Sequence, residues 1–182
     1  MFKVLTKGCE PTRGTKHSAC VDLFASEDVV IGAGETVVIG LGVAIDLDKL
    51  VENSNGMFDA ASFDMNSGGW IDSQFNEDYF NEFKSSHYLQ IALRSSLGKA
   101  GLIMPNGIGI IDMDYTRELK VIVHNPLTQP WTDVDGNTTI GKYFQITKGQ
   151  RIAQITLLEH KSYLFGIESD VVRDGGFGST GK

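Results

Sequence analysis

Residues 29 to 47 read Val29-Val30-Ile31-Gly32-Ala33-Gly34-Glu35-Thr36-Val37-Val38-Ile39-Gly40-Leu41-Gly42-Val43-Ala44-Ile45-Asp46-Leu47. Three apolar runs of strand length, Val29 to Ile31, Thr36 to Ile39 and Val43 to Leu47, are cut apart by glycines and Glu35. That punctuation is a strand-and-turn signal, and it breaks the stretch too often for it to span a bilayer. The same pattern extends outward: Tyr88 to Leu93, Ile108 to Ile111, Leu119 to His124 and Ile152 to Leu158 are apolar runs of strand length separated by Gly-, Asn- and Asp-rich turns. Helical spacing is confined to one region. The expectation is an all-β, antiparallel sandwich or barrel carrying a short helical insertion.

The 182 residues suit one domain with a sizeable core. A net charge of −7 disfavours double-helical nucleic acid as a partner, because that binding relies on Lys and Arg neutralising phosphates. One small anion remains a possible ligand, since it needs only a local nest of donors. The opening Met1-Phe2-Lys3-Val4-Leu5 starts no long apolar segment, so a soluble, cytoplasmic protein without membrane contact is expected. Cys9 and Cys20 form neither a CxxC pair nor part of a His cluster. Two reduced thiols are favoured over a disulfide between them.

The helical exception is Val51 to Ser86. It holds seven acids against Lys84 alone, together with seven aromatics. A disordered acidic linker would be poor in aromatics. Phe75, Tyr79 and Phe83 repeat every four residues, which predicts a short helix with Asp72 or Ser73 as its cap and the stripe laid on the sheet. A surface that binds a protein partner is the sharper alternative. The chemistry-bearing clusters lie outside the segment, so a short linker in its place is expected to keep activity while lowering stability. A second irregular stretch, Leu127 to Gly141, contains Asp135-Gly136-Asn137 and reads as a hairpin tip.

Five clusters carry candidate chemistry. In Ala19-Cys20-Val21-Asp22-Leu23-Phe24-Ala25, an acid between apolar neighbours ordinarily points outward from a strand. In Leu93-Arg94-Ser95-Ser96-Leu97-Gly98, the Arg fork and two hydroxyls suit phosphate oxygens, although a strand ending in a polar turn is the plainer reading. Asn106-Gly107-Ile108-Gly109-Ile110-Ile111-Asp112-Met113-Asp114-Tyr115 suggests a bent hairpin open to close approach by a ligand. Asp112 is expected to be partly desolvated at its floor, as suits a general base. Gly149-Gln150-Arg151-Ile152-Ala153-Gln154 is a turn feeding a buried strand, with Gln154 a donor. The last, Arg173-Asp174-Gly175-Gly176-Phe177-Gly178-Ser179-Thr180-Gly181-Lys182, is a Gly-rich strip offering N–H groups, hydroxyls and one aromatic. Its P-loop spacing is superficial, since a P-loop needs a preceding strand and a parallel sheet.

In order and spacing the five clusters resemble the five motifs of the homotrimeric dUTPase family, which cuts dUTP to dUMP and pyrophosphate. The resemblance implies a jelly-roll-like subunit over residues 1–172, a tail at 173–182 that closes over the substrate, a trimer, and active sites shared between subunits. It implies Asp112 as the base that activates water and Tyr115 as the residue packed on the deoxyribose. Asn106, Ile110 and Ile111 would lie on the segment that reads uracil through main-chain groups. Arg94, Ser95, Ser96, Lys120 and Gln154 would contact the nucleotide. Asp22 would hold Mg²⁺ through water. Arg173, Phe177, Gly178 and Ser179 would belong to the closing tail, with Phe177 stacked on the base.

Departures include Cys20 for a usual Gly, Leu93 for Pro, Ser96 for Gly and Tyr115-Thr116-Arg117-Glu118 for Tyr-Arg-Gly-Glu; Arg173 also lies one residue closer to Phe177 than is typical. The runner-up is the dCTP deaminase branch of the same fold. It relies on a glutamate near the position of Ile122 and lacks the Phe-Gly-Ser-Thr-Gly tail. A further alternative is a dUTPase-like nucleotide-sensing module that binds a protein through the 51–86 insertion.

Overall fold

A computed structural model describes residues 1–54, 62–64, 69–71, 77–126, 131–132, 138–139, 143–167 and 169. The first half of the chain forms β1 (Phe2–Val4), β2 (Val21–Phe24), β3 (Val29–Ile31), β4 (Thr36–Gly40), β5 (Val43–Ile45) and helix α1 (Leu47–Ser54), then β6 (Ser62–Asp64) and β7 (Gly69–Ile71). The second half forms α2 (Glu77–Ser86), β8 (His87–Leu93), α3 (Ser95–Ala100), β9 (Gly109–Asp112), β10 (Lys120–His124), β11 (Trp131–Thr132), β12 (Thr138–Thr139), β13 (Phe144–Ile146) and β14 (Arg151–Glu159). Every described strand pair is antiparallel. The main sheet runs β2-β14-β8-β9, and β10-β4, β13-β3 and β1-β5 pair separately. Most of these pairings join strands distant in sequence, as in jelly rolls.

Apolar side chains from these sheets share one interior. Leu23, Ile91 and Ile152 of the main sheet meet Ile31, Ile39, Val121 and Ile146 of the smaller pairs, all at most 1% exposed. The apolar runs legible in the sequence supply the inner faces of a sandwich. Three connections are tighter than the sequence suggested. Leu47 ends no strand but opens α1, whose Val51 is buried. The Arg94-Ser95-Ser96 stretch is not a plain turn: Arg94 caps a six-residue helix that Gly101 closes at φ +107°. Gly42 sits at φ +64° in the turn between β4 and β5, where an added Cβ would stand 2.8 Å from Cys9 Cβ.

The third cluster is also corrected. It is not a hairpin folded on itself, because its two legs pair with different strands. Ile103 bridges His124, while Gly109 to Asp112 pair with β8. Between them lies a turn in which the Gly107 N–H donates to Met104 O at 2.8 Å, with Pro105 and Gly107 in the positions that turn chemistry favours.

The insertion helix is confirmed where it is described, and Phe75, Asp72 and Ser73 lie outside the described residues. Phe83 is 2% exposed and stacks on His87 with ring centroids 4.0 Å apart, while half-buried Tyr79 and Phe80 pack against the same core. These three aromatics pack against the interior. The last two turns of the insertion therefore belong to the core, in line with the stability loss expected on replacing it. The Asp135-Gly136-Asn137 tip also lies outside the described residues, but flanking Trp131 and Thr132 pair antiparallel with Thr139 and Thr138. Cys9 and Cys20 are free thiols, and burial pushes the Cys9 thiol up from its ordinary range. Among the described residues no helix is long and apolar enough to cross a membrane.

Candidate active site

Asp22 points away from the core, since Leu23 turns into it, and is only 7% exposed because Arg94 and Arg151 cover that face of β2. Arg94 Nε lies 3.3 Å from Asp22 Oδ1, and Arg151 Nη1 lies 3.3 Å from Oδ2. A buried carboxylate needs such partners to offset its lost hydration. Arg94 is aimed by the end of β8, where its N–H donates to Ile152 O at 3.0 Å. Arg151 is aimed by an irregularity. The β14–β2 register slips between Arg151 and Ala153, so Ile152 and Ala153 are both buried and Arg151 is turned out to Asp22.

Gln154 directly opposes Asp22 across the β2–β14 pair. It completes a cavity of about 620 Å³ lined also by Cys20 and by Thr15 and Ser18 of the preceding loop. That loop is braced by Arg13, whose Nη2 donates to Ser18 O at 2.7 Å. Ser95 and Ser96 stand exposed in the first turn of α3, next to Arg94. Sequence reasoning missed Arg151, Thr15 and Ser18 as lining residues.

Asp112 lies elsewhere. It ends β9 opposite Tyr88, whereas Arg94 follows Leu93 at the other end of β8. Six residue steps separate Tyr88 from Arg94, a span of about 20 Å. Asp112 and Asp114 line a second cavity, of about 520 Å³, together with Asn81, Lys84 and Ser85 of α2. Asp112 is exposed, and among the described residues β9 is an edge strand with no neighbour beyond it. The desolvation expected of Asp112 is thus not supplied by its own chain.

Around it, the Tyr115 N–H donates to Asp112 O at 3.1 Å and the Tyr115 hydroxyl donates to Glu118 O at 2.9 Å, which fixes the half-buried ring. Glu118 Oε1 in turn accepts the Gly42 N–H at 2.8 Å. Asn106 Nδ2 donates to Ile108 O at 2.9 Å and so shapes the turn. Ile110 is 60% exposed, while Ile111 leans on the core. Along edge strand β9, alternate N–H and C=O groups face away from β8, and no described strand pairs with them. Lys120 is exposed at the start of β10. Arg173, Phe177, Gly178 and Ser179 lie outside the described residues.

A sequence model of the dUTPase family matches residues 78–181, more than half the chain. The chain belongs to the dUTPase family. A deoxyuridine 5'-triphosphate nucleotidohydrolase of Rickettsia canadensis (strain McKiel) is 31% identical over 182 residues, covering 96% of this chain and 89% of that protein. One of the same name from Nautilia profundicola is 30% identical over 177 residues, covering 94% and 90%. Among solved structures, a Staphylococcus bacteriophage 80alpha dUTPase superimposes with a TM-score of 0.57 at 20% identity over 97% of both chains. The dUTPase of Streptococcus mutans gives 0.54 at 20% identity, over 87% of this chain and 94% of that one. These structural likenesses carry the jelly-roll-like fold. The sequence relationships carry the activity: this dUTPase is a dUTP diphosphatase.

Proposed function

We propose that this dUTPase hydrolyses dUTP in sites shared between subunits of a homotrimer, with Asp112 as general base and Mg²⁺ bound alongside the triphosphate. The observation that carries the reading is the span of about 20 Å between Asp112 and the Arg94 cluster, too long for both to serve one reacting phosphate from one chain. A neighbouring subunit resolves this by laying its Asp22, Arg94 and Gln154 against the exposed Asp112. The run Tyr163, Leu164, Phe165 and Ile167, 56% to 85% exposed, supplies apolar surface for such a contact.

In this reading the outward groups of β9, with Asn106, Ile110 and Ile111, read uracil, and the fixed Tyr115 ring leaves no room for a 2′-hydroxyl. Arg94, Ser95, Ser96, Lys120 and Gln154 hold the phosphates. Residues 173–182 form the tail, in which Arg173, Gly178 and Ser179 cover the triphosphate and Phe177 stacks on the base. Asp112 accepts a proton from water as the water oxygen bonds to the α-phosphorus. The bond from that phosphorus to the bridging oxygen breaks, and pyrophosphate leaves.

Among the described residues no three His, Cys, Asp or Glu side chains converge on a metal site. That suits Mg²⁺, which retains waters and binds through one carboxylate plus substrate phosphates. Asp22 would reach it through water, and its bound form would neutralise triphosphate charge. The test is pyrophosphate release from dUTP, dTTP, dCTP and UTP with and without Mg²⁺, run beside D112N. Turnover of dUTP alone is expected, falling roughly 10²- to 10⁴-fold in D112N with binding retained. Full turnover in D112N would refute the assignment.

A further inference from the structure

The insertion helix does more than cover the core. Helix α2 runs without a break into β8, and Tyr88, two residues into that strand, opposes Asp112. The last turn of α2 is thereby placed beside the end of β9. Asn81, Lys84 and Ser85 stand at i, i+3 and i+4, which puts them on one face of the helix. All three line the 520 Å³ cavity that holds Asp112 and Asp114. The opposite face is anchored by Phe83 and its stack on His87, and His87 Nδ1 lies 3.1 Å from Phe83 O, so the backbone at residue 84 is fixed.

Lys84 is the cation among the described residues lining this cavity. Its ammonium rests 5.4 Å above the Phe80 ring, and no described ion pair engages it. The other charges lining the cavity are carboxylates, which repel a polyphosphate. A compact ammonium on a flexible four-carbon stem, held at the rim by a weak ring contact, is suited to meet an incoming phosphate. We propose that Lys84 is a substrate-binding residue of this dUTPase, its ammonium pairing with the phosphate that reacts beside Asp112. The proposal rests on the reading of Asp112 as the base. It makes the insertion part of the active-site wall.

The experiment is steady-state dUTP hydrolysis across a range of salt concentrations by wild type, K84M, K84R, E82Q and D112N, with trimer content and melting recorded for each. K84M keeps the apolar stem on Phe80 and removes only the charge. A contact present in both ground and transition states shifts KM and leaves kcat alone. K84M is expected to raise KM roughly five- to tenfold, the worth of one partly exposed charge-assisted contact, with kcat within about twofold and a flatter salt dependence of kcat/KM. K84R should restore KM to within about twofold, because the charge returns. E82Q, on the exposed side of α2, should match wild type. An unchanged KM in folded K84M, or a fall in kcat at constant KM, overturns the proposal. Should K84M lose stability, K84Q takes its place with the same two outcomes. A D112N enzyme that keeps turnover would sink the base assignment, whereas an inactive D112N beside a K84M equal to wild type sinks the Lys84 proposal alone.

Discussion

Replacing Phe83 by Ala tests whether the insertion is part of the fold. The side chain is 2% exposed, stacks on His87 at 4.0 Å and 10°, and meets Tyr79 at 6.4 Å and 42°. Truncating such a ring removes its transfer free energy and leaves a cavity, a loss of about 3–5 kcal/mol in well-packed cores. Helix α2 lies at the margin of the core, with one face on an open cavity, so partial collapse favours the lower end, about 3–4 kcal/mol. For a chain of this size that corresponds to a fall in Tm of roughly 6–16 °C. The assay is thermal unfolding followed by circular dichroism at fixed protein concentration, because the proposed subunit association would contribute to apparent stability. A fall below about 2 °C would show that Phe83 does not anchor α2 to the core. The same anchoring implies that a short linker from Glu52 to Ser86 weakens both the core and dUTP binding.

Gly42→Ala should lower stability by roughly 2–4 kcal/mol, since it combines a positive φ with a Cβ driven against Cys9 and Thr6; an unaltered denaturant midpoint would count against that packing. Tyr115→Ala should relax discrimination against UTP, measured as the ratio of kcat/KM for dUTP and UTP, because a ring held by its bond to Glu118 O no longer fills the 2′ position. A thiol reagent at neutral pH should label half-buried Cys20 quickly and spare Cys9 until the protein unfolds. Burial raises the Cys9 thiol, so its reactive thiolate is scarce below that raised value; rapid labelling of Cys9 in the native state would contradict this.

Much of this molecule is legible in its residues, and the limits are physical. The strands of the sandwich follow from short apolar runs cut apart by Gly-, Asn- and Asp-rich turns, which face a core wherever they pair. Arg151 was not legible, because simple alternation would put it on the buried face with Ala153, and only the slip in register at Ile152 turns it toward Asp22. Asp22 looked like an ordinary outward acid because its partners come from residues 72 and 129 positions away. The stripe of Tyr79 and Phe83 marked the helix, yet nothing local revealed that its opposite face borders Asp112. That follows from the register of β8 against β9, a long-range fact. The exposure of Asp112 was not legible either, because it depends on the place of β9 at the edge of the described sheet.

The central claim is that one chain supplies Asp112 and another supplies Arg94 to the same reacting phosphate. The direct measurement mixes D112N with R94A, each inactive as a homotrimer, after joint unfolding and refolding to exchange subunits. If sites are shared between chains, random assembly leaves about a quarter of them with both native residues, and dUTP hydrolysis should return to roughly that fraction of wild type. If each site is built within one chain, every site in the mixture carries a lesion. Hybrid trimers that remain as inactive as their parents would contradict the account.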